Sequence, residues 1–338
     1  MLDIRENVSL KKYNSFGIEA FARYFVEIHN AEDLKELFAD KRWKQQPYLI
    51  LGGGSNMLFT QSYEGLVIKM AIPDISHKIE GDEVIVKAGA GVVWNDFVNY
   101  CVNRGFAGVE NLSLIPGSVG ASPIQNIGAY GTEVKDVFKS CTAFEIESGN
   151  FREFTFADCQ FAYRESVFKQ ELKGKYIICS VKFSLSLQAN INTSYGAINS
   201  ELLARGITEP DIRDISEVVS AIRVSKLPDP STIGNAGSFF KNPIISKEKF
   251  DLIHKQFPEI VYFLVGTNQV KLAAGWLIEQ CGFKGKVVGN TGTWKNQALV
   301  LVNHGKASGR EIFDFSEQII DAVHKKFNVV LEREVNVI

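Results

Sequence analysis

The sequence predicts an α+β fold, and three observations lead to that expectation. Helical and strand periodicities follow one another along the 338 residues without regular alternation. A turn-rich segment at 228–231 (PDPS) follows a long helical pattern and indicates a domain boundary. Glycine is concentrated in residues 51–131, which contain 13 of the 28 glycines, so the backbone there must approach something closely.

The first part of the chain predicts one helix and three strands. Residues 30–38 place an asparagine and an aspartate at a helix cap, followed by apolar residues at helical spacing. The apolar run Tyr48–Leu51 predicts a buried strand that leads into the first glycines. Leu66–Lys69 and Val84–Ala88 predict further short strands.

The middle of the chain is rich in strand patterns. Trp94–Val102 has apolar residues at helical spacing, and Gly105 suits its C-cap. Residues 134–190 contain several β-rich segments, among them Lys175–Leu185.

The C-terminal part predicts three helices. The first spans 210–226, with Pro210 in its first turn. The second spans Lys271–Cys281 and ends at Gly282, and a buried strand is expected at Gln297–Asn303.

The last helix has a capping box and precedes a terminal strand. Ser308 and Glu311 have the spacing of that box, and apolar residues at helical spacing follow them. The strand is expected at Val329–Ile338.

Charge and hydropathy exclude several classes of function. Lysine and arginine total 37 and aspartate and glutamate 39, so the formal charge of −2 gives no reason to expect nucleic acid or an anionic membrane as a partner. No apolar run approaches the ~20 residues that span a bilayer. Charged residues stand among the first six, where a signal peptide would need its apolar core, so we expect a cytoplasmic protein without membrane insertion.

Cysteine and histidine give no sign of a metal or redox site. The five cysteines form no Cys-x-x-Cys pair, and buried, idle thiols are the simplest interpretation. They are Cys101, Cys141, Cys159, Cys179 and Cys281. The five histidines lack metal-ligand spacing, so no metal site is predicted.

The first glycine cluster follows a strand but does not predict a dinucleotide-binding βαβ unit. The third glycine of that fingerprint is missing, and residues 58–69 favour turn and strand where the fingerprint needs a helix. Gly52, Gly53 and Gly54 could instead adopt positive φ and turn successive N–H groups toward an anion. The next two residues, Ser55 and Asn56, add short side-chain donors.

The second cluster, residues 115–131 (IPGSVGASPIQNIGAYG), is long, neutral and rich in small residues. Such a loop lets backbone approach a flat aromatic group and its phosphates. Any single glycine here could simply serve a tight turn. Two such clusters together favour a bound ligand.

These clusters and five further motifs resemble those of the UDP-N-acetylenolpyruvoylglucosamine reductases, over essentially the whole chain and in collinear order. The most specific string is GSFFKNP at 237–243. The other motifs are LGGGSN at 51–56, IPGSVG at 115–120, QNIGAYG at 125–131, YRES at 163–166, KLPDP at 226–230, VKLAAGWLI at 270–278 and LEREV at 331–335.

The resemblance implies a fold and a domain organisation. The fold is an FAD-binding fold of the vanillyl-alcohol-oxidase (PCMH) type in two subdomains, plus a smaller α+β substrate-binding domain. The expected FAD-binding domain is 1–227, with subdomains of about 1–72 and 73–227 and the tail 329–338 returning to it. The expected substrate-binding domain is 228–328.

The resemblance also implies an activity and a catalytic trio. FAD, reduced by NADPH, would deliver a hydride to the enolpyruvyl ether of a UDP-sugar and form UDP-N-acetylmuramate for peptidoglycan synthesis. Arg164 would grip the substrate carboxylate and stabilise the enolate. Glu334 would assist if it stays protonated in a water-poor pocket, and Ser238 would donate the proton.

The remaining expected contacts are also carried over from the family. The cofactor-binding set is Gly52, Gly53, Gly54, Ser55, Asn56, Gly117, Ser118, Gly120, Ala121, Ile127, Gly128, Ala129, Gly131 and Arg223. The substrate-binding set is Tyr195, Lys226, Asn242 and Gln297. Tyr195 matches the loop that covers substrate in the type I subclass, and the protein is expected to be a monomer.

The tail departs from the family pattern. The family often reads Glu-Pro-Glu-Val-Arg, whereas this chain has Asn336 in place of the arginine. Arg333 is close in sequence, but on a strand it would point to the opposite face from Glu334.

Three other functions are alternatives to the reductase. Another FAD-dependent oxidoreductase of the same fold, acting on a sugar or alcohol, is disfavoured by the GSFFKNP string and the tail. A non-catalytic sugar-nucleotide binding module predicts a colourless protein, whereas a flavoenzyme is yellow. A nicotinamide dehydrogenase is disfavoured by the missing helix after Gly54.

Overall fold

The computed structural model describes residues 2–338, which form two compact units. Unit 1 comprises the residues up to Val8, Ala22–Gly53 and Tyr63–Arg223, and unit 2 comprises Ser9–Phe21, Gly54–Ser62 and Val224–Ile338. Helix and sheet are mixed without regular alternation, which confirms the α+β prediction.

The elements are as follows. The strands are β1 (Arg5–Ser9), β2 (Phe21–Ile28), β3 (Tyr48–Leu51), β4 (Met57–Leu58), β5 (Tyr63–Met70), β6 (Ile75–Glu80), β7 (Glu83–Gly89), β8 (Gly128–Ala129), β9 (Thr132–Glu133), β10 (Phe138–Glu145), β11 (Phe151–Thr155), β12 (Tyr176–Ser186), β13 (Gly234–Ser238), β14 (Ile244–Ser246), β15 (Tyr262–Val265), β16 (Gln269–Leu272), β17 (Val287–Val288), β18 (Thr291–Thr293), β19 (Val300–Asn303) and β20 (Asn336–Val337). The α-helices are α1 (Glu32–Ala39), α2 (Lys41–Gln45), α3 (Trp94–Val102), α4 (Phe156–Cys159), α5 (Gly196–Ala204), α6 (Ile212–Lys226), α7 (Lys247–Gln256), α8 (Ala274–Gln280) and α9 (Gly309–Phe327). Short 3-10 helices lie at Lys11–Tyr13, Glu110–Leu112, Val119–Ala121, Val134–Asp136 and Val167–Lys169.

Unit 1 is built on two sheets. One has the strand order β1-β2-β5-β3, in which β5 pairs in parallel with both β2 and β3. The other is antiparallel with the order β11-β10-β12-β7-β6. The core between them contains Ile68 and Met70 from β5, Phe144 from β10 and Ile177 from β12. The first glycine cluster follows β3, so it begins at the carboxyl end of the parallel strands.

Unit 2 is built on a sheet of order β13-β19-β18-β17, a second of order β14-β16-β15 and the parallel pair β20-β4. Its long helix α9 has the predicted capping box at Ser308 and Glu311. Five apolar residues of α9 at helical spacing are buried: Ile312, Phe315, Ile319, Val323 and Phe327.

Three predicted boundaries are wrong in detail. Residues 271 and 272 belong to β16 because Leu272 pairs with Tyr262, so α8 begins only at Ala274. Gln297 lies in a turn, and the buried strand β19 starts at Val300. The terminal strand is limited to Asn336–Val337.

Two further predictions need correction. Pro210 precedes the first turn of α6, where Asp211 accepts hydrogen bonds from Arg213 N and Asp214 N and so caps the helix. Strand β3 is at the edge of its sheet, and only Leu51 of its four residues is buried.

Candidate functional site

The two glycine clusters meet in unit 1. A Cβ added to Gly53 would lie 2.7 Å from the Cα of Gly117, and one added to Gly52 would lie 2.5 Å from Ser118 Oγ. Residues more than sixty positions apart are therefore packed backbone to backbone, and only glycine permits that approach.

The glycines are needed for close packing between backbone segments more than for positive φ. Of the first three, only Gly54 has positive φ (65°), so the predicted run of three left-handed residues is wrong. Gly54 belongs to unit 2, where a Cβ would collide with the carbonyl oxygen of Tyr13. In the second cluster Gly117 and Gly131 have positive φ, of 126° and 81°.

The other predicted cofactor residues of unit 1 lie in the same two loops or next to them. Gly120 packs against Ala90, where an added Cβ would lie 2.5 Å from the Ala90 Cβ. Ala121 ends a short 3-10 helix, and Gly128 and Ala129 form β8, which Ile127 precedes.

Arg164 is held against the second glycine loop. It occupies a tight turn in which Ala162 and Glu165 exchange two backbone hydrogen bonds, and its φ is +56°. Its guanidinium donates to the carbonyl oxygens of Gly128 (2.6 Å) and Asn126 (3.4 Å), and its side chain is 18% exposed. The charged end therefore sits at the loop that the sequence assigned to the cofactor.

Asn126 fixes that loop, and sequence reasoning gave it no role. Its side chain is fully buried, it accepts from Lys135 N, and it donates to Ala162 O and Glu133 Oε2. Its φ of 45° and its place between the loop and the arginine turn are the reasons for asparagine. The sequence feature that could have revealed this role is the position of Asn126 inside the QNIGAYG string.

Tyr130 joins two predicted site residues, and it too was missed. The positive charge of Arg223 acts on its hydroxyl, and Arg223 Nε donates to Leu114 O (3.1 Å). Burial is the largest cause of the raised pKa of Tyr130 and of the lowered pKa of Arg223. The ring of Tyr130 contacts that of Tyr195 edge to face, with centroids 5.2 Å apart.

Unit 2 brings Ser238 and Glu334 to neighbouring backbone positions. Phe240 pairs with Arg333 in an isolated β-bridge, and Glu334 N donates to Phe239 O (2.9 Å). Ser238 ends β13 beyond an irregularity that includes Gly237, whose φ is +67°, and its side chain is exposed. The buried Phe239 and Phe240 anchor the chain immediately after it.

Asn56 and the tail are joined in the same unit. Asn56 Nδ2 donates to Glu334 O (3.2 Å), while Asn336 N and Nδ2 both donate to Asn56 O. Ser55 precedes Asn56 in unit 2. Asn336, which stands where the family often has arginine, is thus a backbone partner of a predicted cofactor residue.

Two predicted substrate residues, Asn242 and Gln297, lie at the start of α8. Asn242 Oδ1 accepts from Ala274 N (2.9 Å), and Gln297 Oε1 would be 2.8 Å from a Cβ on Gly275. Asn296, next to Gln297, donates to Ser225 O (2.9 Å), the residue before the exposed Lys226. Asn242 and Gln297 therefore meet at α8 from separate parts of unit 2, and the backbone next to Lys226 is bonded to the neighbour of Gln297.

Comparison with known proteins decides the family. A curated UDP-N-acetylenolpyruvoylglucosamine reductase from Flavobacterium johnsoniae is 50% identical over 339 residues and covers 100% of both chains. The chain belongs to the UDP-N-acetylenolpyruvoylglucosamine reductase family. A relative from Pseudomonas syringae pv. syringae with the same name is 47% identical over 99% of both chains.

Domain models and a solved structure agree with the family. Residues 22–154 match the FAD binding domain, and residues 229–338 match the C-terminal domain of UDP-N-acetylenolpyruvoylglucosamine reductase. The crystal structure of such a reductase from Thermus caldophilus superimposes with a TM-score of 0.68 at 22% identity, covering 100% of this chain and 99% of that one. The fold is the expected α+β FAD-binding fold, and the chain is an FAD-dependent oxidoreductase.

The residues of this reductase fit FAD. Ser118 Oγ is buried and has no hydrogen-bond partner among residues 2–338, although it lies where the two glycine loops meet. Lys69 Nζ donates to Gly52 O (2.7 Å) and brings a positive charge to the first loop; burial lowers its pKa. Main-chain groups of both loops, Ser118 and Arg223 are the groups that would hold the cofactor.

Residues 2–338 contain no cluster of three or more His, Cys, Asp or Glu side chains able to hold a metal ion. None of their helices combines the length and apolar character that a membrane crossing requires. Four of the five cysteines are buried, as predicted, and burial raises the pKa of Cys179 to about 12.

Proposed function

We propose that this chain reduces the enolpyruvyl ether of UDP-N-acetylglucosamine-enolpyruvate to UDP-N-acetylmuramate, with NADPH as the reductant, in peptidoglycan precursor synthesis. The observation that carries the proposal is the 50% identity, over the whole chain, to a relative named for this reductase activity. FAD, when bound, supplies the two-electron chemistry between NADPH and the substrate.

Arg164 is proposed to bind the substrate carboxylate and to offset the negative charge that develops on it. Two observations support this role. The guanidinium is largely shielded from solvent, and its bonds to Gly128 O and Asn126 O fix its plane before substrate arrives. A pre-oriented fork loses little entropy when it binds a carboxylate.

Ser238 is proposed to deliver the proton, and Glu334 to assist as a hydrogen-bond donor. The exposed side chain of Ser238 is available to a ligand, and the buried Phe239 and Phe240 hold its backbone in place. The hydrogen bond from Glu334 N to Phe239 O fixes the distance between the backbones of Ser238 and Glu334. A serine hydroxyl is a weak acid, so the proposal requires a strongly basic intermediate.

The sugar nucleotide is proposed to contact Lys226, Asn242 and Gln297, with Tyr195 in a type I loop that covers its diphosphate. A lysine and two amides suit a diphosphate and polar sugar. The positions of Asn242 and Gln297 at the start of α8, and the bond from Asn296 to Ser225 O next to Lys226, support the assignment. Asn242 Oδ1 already accepts from Ala274 N, so its amide N–H₂ is the part proposed to reach substrate.

The finer organisation also belongs to the proposal. We assign FAD binding to 1–227, with subdomains of about 1–72 and 73–227 and the tail 329–338 returning to it, and substrate binding to 228–328. We further propose that the enzyme works as a monomer in the cytoplasm. Analytical ultracentrifugation of the FAD-loaded protein tests the monomer.

An anaerobic experiment tests the proposed activity. The yellow protein is reduced with NADPH until the flavin absorbance is bleached, and enolpyruvyl-UDP-N-acetylglucosamine is then added. We expect the absorbance to return and mass spectrometry to find a product heavier by two hydrogens. A flavin that stays bleached with this substrate, but is reoxidised by another sugar or carbonyl compound, would overturn the assignment and leave the fold intact.

A further inference from the structure

Tyr130 is held in a backbone conformation that its side chain disfavours. Strands β8 and β9 pair Gly128 with Glu133 and Ala129 with Thr132, which leaves Tyr130 and Gly131 as a two-residue turn. Their φ values of 49° and 81° are both positive, as in the type I′ turn that Asn-Gly favours. A bulky tyrosine in the first position is strained, so contacts around it must compensate.

Both ends of the Tyr130 side chain are engaged. The hydroxyl interacts electrostatically with the guanidinium of Arg223, whose Nε donates to Leu114 O (3.1 Å). The ring lies at 81° to the ring of Tyr195, with 5.2 Å between their centroids. One residue therefore touches a proposed cofactor contact and a proposed substrate contact.

The backbone of the turn is also tied to residues 192–194. Asn111 Nδ2 donates to Tyr130 O (3.1 Å) and to Asn192 O (2.9 Å), and Asn192 Nδ2 donates to Gly131 O (3.1 Å). A Cβ on Gly131 would lie 3.1 Å from Ser194 Oγ. The tip of the second glycine loop and the segment leading to Tyr195 thus form one hydrogen-bonded assembly.

We propose that Tyr130 is a positioning residue that couples occupancy of the flavin site to the placement of Tyr195. It acts through its hydroxyl on Arg223 and through its ring on Tyr195. The inference rests on the proposed function, because the cofactor role of Arg223 and the substrate role of Tyr195 are taken from it. FAD that orders the loop then also orders the 192–195 segment, and a ligand under Tyr195 strengthens FAD binding in return.

Hydrogen exchange of the full-length protein, with FAD removed and restored, tests the coupling without turnover. In the wild type we expect FAD to slow exchange in the peptide covering 189–197. In Tyr130→Asn, which suits the turn but lacks the ring and the hydroxyl, we expect that slowing to be lost while the melting temperature is unchanged or higher. The KM for the nucleotide sugar should rise about three- to tenfold with kcat nearly unchanged, in line with loss of an aromatic pair.

Two further variants separate strain from contact. Tyr130→Phe keeps the ring and should retain the slowing at saturating FAD, while its Kd for FAD rises roughly tenfold through loss of the hydroxyl that interacts with Arg223. Gln160→Asn is the matched control, because Gln160 also has positive φ (47°) but lies in the exposed cap of α4. It should behave like the wild type in exchange and in KM.

Two results would overturn the coupling. In one, the 189–197 peptide of Tyr130→Asn is still slowed by FAD. In the other, Tyr130→Asn and Tyr130→Phe only lower the melting temperature and leave the Kd for FAD and the KM unchanged. Failure of the proposed function gives a different result: the wild-type protein binds FAD but does not turn over the enolpyruvyl substrate. The hydrogen-exchange result does not depend on turnover.

Discussion

At the scale of single residues, three non-glycine positions of the site, Asn126, Tyr130 and Arg164, hold left-handed backbone. Arg164 and Asn126 have φ values of 56° and 45°, a conformation that costs on the order of 1–3 kcal/mol each. The surrounding bonds maintain it, since Asn126 links Lys135 N, Glu133 and Ala162 O, and the turn at Ala162 presents Arg164. The strain is concentrated where the guanidinium must be aimed.

Replacing Arg164 by lysine tests whether the planar fork is needed. Lysine keeps the charge but cannot bind a carboxylate with two parallel N–H bonds, so we expect kcat/KM to fall about 10²- to 10³-fold while FAD stays bound. Steady-state kinetics with the enolpyruvyl substrate measure this. Arg152→Lys, at an exposed arginine of β11, should have no effect; wild-type kcat/KM in Arg164→Lys would contradict the role.

A second prediction at the scale of single residues concerns the contact between Ser118 and FAD. Because its buried Oγ lacks a partner among residues 2–338, Ser118→Ala should leave the free energy of unfolding without FAD unchanged or higher. Its Kd for FAD should rise about three- to tenfold, which fluorescence titration measures.

Ser122→Ala is the matched control for Ser118→Ala. Ser122 Oγ already donates to Val119 O (2.8 Å), so its removal should cost about 1 kcal/mol of stability and change FAD affinity less. The reverse pattern would show that Ser118 does not face the cofactor.

At the scale of elements, the glycine loops explain why a cofactor can be held mostly by main chain. Gly52 and Gly53 allow the first loop to touch Gly117 and Ser118 of the second, and Lys69 fixes the first through Gly52 O. Loops tied to each other and to strand β5 present their N–H groups in fixed positions. This pre-organisation reduces the entropy lost on binding.

Gly53→Ala should separate the two loops. The new Cβ would meet backbone rather than a flexible side chain, so the loop must shift and we expect FAD to dissociate readily from the purified protein. Gly81→Ala is the control, since Gly81 has positive φ but no atom within 4 Å of an added Cβ. It should lower the melting temperature and leave the Kd for FAD unchanged, and equal Kd values in the two variants would contradict the account.

The sequence patterns predicted a helix or strand correctly where a few neighbouring residues determine it. The capping box of α9 and the helical pattern that becomes α6 are encoded within a few residues, and both are confirmed. The helix α8 was predicted to begin too early. Leu272 pairs with Tyr262 in a sheet, and the helical spacing of the sequence does not reveal that pairing. The φ values of Gly52 and Gly53 were missed for a similar reason, since their packing partners are far away in sequence.

At the scale of the whole molecule, distant segments build each unit. In unit 2, Asn303 Nδ2 donates to Phe16 O, and Gly309 packs against the backbone of Phe59. No local pattern announces such contacts, which is why the sequence alone predicted neither the join of 9–21 and 54–62 to the C-terminal part nor the roles of Asn126 and Tyr130. The motif strings contain the proposed site residues, but nothing in the strings predicts the contacts between those residues.

Surface carboxylates should make stability depend on acid pH. Hydrogen bonds lower the pKa of Glu83 (from Ser184 and Lys139), Glu153 (from Lys182 and Ser140) and Asp158 (from Thr155). A pKa lowered by folding means that the folded state binds fewer protons, so this stability is present above about pH 4 and lost as the pH falls further.

Urea unfolding measured between pH 7 and pH 3 checks this. The free energy of unfolding should fall below about pH 4, and Glu153→Gln should make the decline shallower. A free energy that stays level down to pH 3 would contradict the assignment.

We propose that two parts of the chain divide the chemistry: the glycine loops hold the flavin, and Ser238 delivers a proton to the substrate. Stopped-flow absorbance of Ser238→Ala tests it by measuring the two half-reactions separately. We predict that flavin reduction by NADPH proceeds near the wild-type rate, whereas reoxidation by the enolpyruvyl substrate slows by about 10²-fold or more. Equal loss of both half-reactions, or reoxidation at the wild-type rate, would contradict the claim.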